Sequence, residues 1–176
     1  MVLGLRLTAA AVLVAGCSSG GGAAQAPATR PTGAAAATAD GRLSSARVGG
    51  RDLRLVASDG SCILEGAGEA VGLGVAAPCG FLRLKAGAAA YVHDYGPVGS
   101  VVLVGGPPAT TGDFAAVGRS ARDRCSDVGR AVIVRAGRVL LSPVKRSPLA
   151  FCPDSPPDEK YYYGIAHDPA GQTTVR

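Results

Sequence analysis

Tryptophan is absent from this chain, methionine occurs once, histidine twice and lysine at only three places, and aromatic residues make up 5% of the whole. Flat aromatic platforms are what stacked sugars and bases need, so the scarcity of rings argues against both kinds of ligand. No uninterrupted apolar run approaches the roughly 20 residues that cross a bilayer as a helix. There is no Cys-x-x-Cys, no His-Glu-x-x-His, no Gly-x-Ser-x-Gly and no glycine-rich phosphate loop. His93 and His167 stand at no ligand spacing from the cysteines, so neither a metal nor a cofactor is expected. His93-Asp94-Tyr95 is the densest titratable group, but neighbours on a strand point to opposite faces, which separates the imidazole from the carboxylate. His167-Asp168 meets the same objection, and Asp158-Glu159 beside Lys160 reads as a solvated acidic loop. The residues thus point away from an enzyme.

What is present begins with a signal. Arg6 is followed by a short apolar run over 7–16, and the run closes on Leu13-Val14-Ala15-Gly16-Cys17. Aliphatic, small, small, cysteine resembles the lipobox of bacterial lipoprotein precursors. An ordinary secretory cleavage near Ala15-Gly16 is the competing reading. The resemblance implies a signal peptide over 1–16, cleavage before Cys17, a diacylglyceryl thioether on that cysteine and an acylated amine. Several acyl chains, at roughly 0.8 kcal/mol per buried methylene, anchor a protein without any transmembrane segment. The implied address is the bacterial cell envelope, with the membrane as a partner through the lipid on Cys17. In a Gram-negative source, Ser18 is compatible with the outer membrane, facing the periplasm.

Residues 17–40 carry Gly, Ala, Ser and Pro without apolar period and read as a flexible tether, with a reach of roughly 25–30 Å. From 41 to 168 the chain shows short apolar runs punctuated by Gly and Pro at intervals of roughly ten residues. This predicts a mainly β domain, a small disulfide-closed sandwich or barrel. Leu53 and Leu55 alternate with arginines, Asp59-Gly60 marks a turn, and Ala131–Val134 and Val139–Leu141 flank Arg135-Ala136-Gly137-Arg138 as a hairpin. One short helix is expected over Asp113–Arg124, where Phe114, Val117 and Ala121 fall at helical spacing. Tyr161-Tyr162-Tyr163 reads as strand, and 169–176 as a polar tail.

Beyond Cys17, the even set Cys62, Cys79, Cys125 and Cys152 in an exported chain predicts two disulfides, with three connectivities open. Cys62-Cys79 and Cys125-Cys152 are favoured because each pair brackets a segment that reads as a compact hairpin. The formal charge is +5. Arg130, Arg135, Arg138, Lys145 and Arg146 form a candidate patch for an anionic envelope component or an acidic protein partner. Nucleic acid is disfavoured by the envelope address. The expectation is therefore a lipid-anchored, non-catalytic binding or structural module. Leu53-x-Leu55, Cys62-x-Leu64 and Cys79 are also similar to the opening of small periplasmic inhibitors of bacterial metalloproteases. Those are disulfide-closed β-barrels, which makes protease inhibition the alternative.

Overall fold

A computed structural model describes residues 42–109 and 124–176. The signal peptide, Cys17, the tether and the helix expected over Asp113–Arg124 lie outside the described residues, apart from Arg124 itself.

The amino-terminal sheet is an antiparallel meander of β1 (Ser45–Val48), β2 (Arg51–Ser58), β3 (Ser61–Glu65) and β4 (Val71–Ala76). Its turns follow from backbone sterics. At the β2–β3 turn, Asp59 and Gly60 take φ of 49° and 73°, the pair of positive angles that a two-residue hairpin matched to strand twist demands. Alternation does the rest: Leu53, Leu55, Cys62, Leu64, Leu73 and Val75 point inward, while Asp52, Arg54, Gly72 and Gly74 face water or its margin.

The larger sheet is built on two long central strands, β7 (Ser100–Gly105) and β8 (Ser126–Arg135), paired antiparallel with Val102 opposite Val132. Each has two partners arranged end to end on its outer side. β5 (Gly80–Phe81) and β6 (Val92–Asp94) flank β7, and β9 (Arg138–Leu141) and β10 (Lys145–Phe151) flank β8. β11 (Thr173–Thr174) adds to β9, so the terminal residues, expected as a tail, belong to the sheet. The hairpin expected at Arg135–Arg138 is present, with Arg135 opposite Arg138.

The two sheets pack face to face over a core of Leu43, Val48, Leu53, Leu64, Phe81, Val102, Val104, Val132, Val134 and Leu141. They remain open sheets: the fold is a sandwich and not the closed barrel that the inhibitor resemblance implied. β7 is buried at all six positions because its other face is covered too. There Val101, Leu103, Ala131 and Ile133 meet Phe151, Tyr162 and Ala166. Tyr162 and Ala166 belong to α1 (Glu159–His167), which corrects the strand reading of the tyrosines. Tyrosine favours strands, but the local signals are helical. Asp158 caps the first turn by accepting the Tyr161 N–H at 3.2 Å. Tyr162 and Ala166 are four residues apart on the buried face, and Pro169 follows the end.

The disulfides are Cys62–Cys79 and Cys125–Cys152, the favoured connectivity. The first lies in the core between the sheets, and the second forms a satellite cluster with Ala109.

Candidate functional site

Although rings are few, the fold gathers them. Tyr91, His93 and Tyr95 stand at alternate positions along and beside β6, so all three side chains share the face that α1 covers. The His93 ring lies 4.4 Å from that of Tyr91, 4.3 Å from Tyr162 and 5.9 Å from Tyr95. The series continues to the surface: Tyr95 meets Tyr163 edge-on at 5.8 Å, and Tyr163 stacks on His167 at 3.8 Å. Tyr161 completes the set against Phe151 at 6.3 Å. Every tyrosine and both histidines of the chain therefore sit at the junction of β6, β10 and α1.

The electrostatics of this cluster are those of burial. Desolvation lowers the His93 pKa, with the Glu159 carboxylate partly opposing it. Desolvation likewise raises Tyr162, Tyr161 and Tyr95. The His93 Nε2 and the Tyr162 hydroxyl are buried without a hydrogen-bond partner. Asp94 serves the next turn instead, accepting from the Gly96 N–H at 3.1 Å and the Ser100 hydroxyl at 3.3 Å. His167 Nδ1 is 2.9 Å from the Tyr163 carbonyl oxygen, and Asp168 accepts the Ala170 N–H. Neither imidazole is hydrogen-bonded to a carboxylate. Among the described residues no group of three His, Cys, Asp or Glu side chains could hold a metal, and no helix is long and apolar enough to cross a membrane.

The cationic residues separate into two uses. Arg130 lies on the sandwich-facing side of β8, where its Nε donates to the Ser142 carbonyl at 2.6 Å and a terminal nitrogen to the Leu73 carbonyl at 2.9 Å, tying one sheet to the other. Burial lowers its pKa. Arg135, of opposite parity on β8, points to the helix side and donates to Val98 at 2.5 Å and to Ala166 at 3.0 Å. Arg51 does the same toward Gly137 and Gly66, and Arg42 toward Gly106. These guanidiniums act as clamps on backbone carbonyls that no strand or helix satisfies. The five-residue patch is thus not one surface: Arg130 and Arg135 are spent on opposite faces of β8, and Arg138 is exposed at the hairpin turn.

Lys145 and Arg146 remain exposed but on opposite faces of β10: Lys145, opposite Gly129, lies toward α1 and shares with Lys160 a groove of about 420 Å³, whereas Arg146, opposite Val128, borders a second cleft beside Gly74 and Ala76. Sequence reasoning placed Lys160 in a solvated loop; only the docking of α1 beside β10 joins it to Lys145. No protein-family model, no curated protein and no solved structure matches this chain.

Proposed function

We propose that this chain is an envelope lipoprotein, held at a bilayer by acyl groups on Cys17, whose sandwich domain is a non-catalytic binding module. The observation that carries the reading is the closure of all four domain cysteines into two disulfides, behind a lipobox-like opening. Paired cysteines of this kind persist in oxidising compartments outside the cytosol. The non-catalytic reading is supported by two imidazoles without a carboxylate partner and by arginines engaged on backbone carbonyls. The exposed Lys145 and Lys160 beside a groove walled by Tyr161 and Ile165 support binding as the role of the domain.

Intact mass of the protein taken from its native membrane tests the anchor. The expected mass is that of the chain from Cys17 plus acyl groups, with four alkyl additions appearing only after reduction. A mass without lipid, or alkylation before reduction, refutes the reading.

A further inference from the structure

α1 is held apart from the core between the sheets. Its two buried side chains, Tyr162 and Ala166, lie on the outer face of the larger sheet over Val101, Leu103, Ala131 and Ile133, and neither joins the cluster inside the sandwich. A helix of nine residues is too short to stand alone in water, so α1 exists because it is docked. Polar ties from the rest of the domain add to the docking: the Arg135 guanidinium donates to the Ala166 carbonyl at 3.0 Å, and the Tyr95 hydroxyl to that of Glu159 at 3.3 Å. The chain enters the helix after Cys152, fixed by its disulfide, and leaves it for β11, fixed by pairing with β9. Undocking α1 therefore leaves both sheets and both covalent links in place.

The docking is made on a titratable side chain. The His93 ring lies 4.3 Å from Tyr162 and 4.4 Å from Tyr91, with Tyr95 stacked on it at 5.9 Å. Its Nε2 is buried without a hydrogen-bond partner, and so is the hydroxyl of the fully buried Tyr162. A neutral imidazole carries one N–H and one lone pair, whereas an imidazolium carries an N–H on both nitrogens, so Nε2 must then donate. Tyrosine faces attract a cation but do not replace that missing acceptor, and a buried charged donor left unpaired is costly. The groups around His93 do not compensate. Its own segment supplies Tyr91 and Tyr95, with Asp94 turned to the other face and engaged on Gly96 and Ser100. From α1 come Tyr162 and Glu159, whose carboxylate favours the charged ring but is outweighed by burial; Lys160 is turned toward β10. β7 places Val101 opposite His93 and has no titratable side chain, and β8 contributes Arg135, already engaged on Val98 and Ala166.

We infer that α1 is an acid-released cover: protonation of His93 undocks the helix and uncovers the apolar face that Leu103, Ala131, Ile133 and Phe151 form on the larger sheet. Above the ordinary histidine range the imidazole is neutral in both states and the helix stays docked. As pH falls, the undocked state takes up the proton more readily, because there the imidazolium meets water, and the equilibrium shifts toward it. The shift is bounded by the ratio of proton affinities in the two states, tenfold for each pKa unit between them, and it reverses when the proton leaves. The inference depends neither on the groove beside Lys145 nor on the acyl anchor.

The test is native-state hydrogen exchange on the full chain carrying Cys17→Ala, at about pH 7.5 and about pH 5, with each amide corrected for its intrinsic rate. The opening constant of the amides of 163–168 should rise at least about threefold at the lower pH, the effect of half a pKa unit. Amides of Val102, Leu103, Val132 and Ile133, bonded within the sheet, should keep their protection. Glu159→Gln should enlarge the rise, since it removes the carboxylate that favours a docked imidazolium. His167→Gln should leave it in place, although that exposed imidazole on the last turn titrates over the same range. His93→Gln should abolish it. A titration of the wild-type protein by NMR covers the case in which His93→Gln does not fold: the His93 ring and the α1 amides should share one midpoint, below that of an ordinary histidine. A loss of protection equal in helix and sheets overturns the inference by making the effect global. So does the absence of a rise, a rise that survives His93→Gln or vanishes with His167→Gln, or a helix midpoint that differs from that of His93. None of these outcomes bears on the mass that tests the anchor, so the two readings fail separately.

Discussion

Gly129→Ala is a change of one methyl group that should cost this domain a sizeable part of its stability. Gly129 lies on β8 opposite Gly105 of β7, and the Phe151 side chain of β10 crosses both glycines. A Cβ at 129 would sit 2.5 Å from the Phe151 Cε1 and 2.6 Å from its Cγ. Carbon atoms rest at about 3.5–4.0 Å, so the ring must retreat by roughly 1 Å. It has nowhere to go, being completely buried among Leu82, Leu103, Ala131 and Tyr162. Overpacking of this kind costs about 1–3 kcal/mol. The lost freedom of glycine in the unfolded chain returns about 0.4–1 kcal/mol. The net is a destabilisation of about 1–2 kcal/mol, against the 5–15 kcal/mol that a domain typically holds. Urea denaturation with the disulfides intact measures it. The control is Phe151→Ala, which by itself should cost about 3–5 kcal/mol. In that background the alanine at 129 fills vacated space and should become neutral or favourable, a coupling of at least about 1 kcal/mol. Wild-type stability for Gly129→Ala, or an equal penalty with and without the ring, refutes the argument that Phe151 is why β8 carries glycine there.

Three further outcomes follow from the same structure. Arg130→Met should lose about 1–3 kcal/mol by leaving the Ser142 and Leu73 carbonyls unpaired. Arg138→Met, at an exposed turn, should stay within about 0.5 kcal/mol of wild type, so equal losses in thermal unfolding would contradict the clamp account. On the chain-entropy model, replacing Cys62–Cys79 by alanines should lose about 3 kcal/mol and replacing Cys125–Cys152 slightly more, from sequence separations of 17 and 27. A calorimetric series on the two double variants checks both the size and the order. Burial lowers the His93 pKa, so the unfolded chain binds the proton more readily and stability is lost as pH falls through the ordinary histidine range near 6.5. The loss levels off once the folded imidazole is protonated. His93→Phe should flatten the pH dependence of urea midpoints across that window, and an unchanged slope would assign the effect to other groups.

Local chemistry made much of this architecture legible in the sequence. Two-residue turns such as Asp59-Gly60 and Ala136-Gly137 need positive φ and announce themselves, and the inward alternation of Leu53, Leu55, Cys62 and Leu64 is a property of strand geometry alone. The cysteine pairing followed because each bond closes a segment already folded back on itself. Three things were decided by tertiary structure. The tyrosine run became a helix because its apolar residues, spaced four apart, found the second face of a sheet to cover, and burial of Tyr162 and Ala166 outweighed strand propensity. The basic segment dispersed because open carbonyls at sheet and helix ends recruited Arg130 and Arg135, a demand visible only once the ends are in place. Lys145 and Lys160 share a groove because β10 and α1 lie side by side. Turns, strands and covalent links depend on residues near in sequence, which a sequence displays; who meets whom across a sheet depends on which faces remain to be covered, which only the folded chain determines.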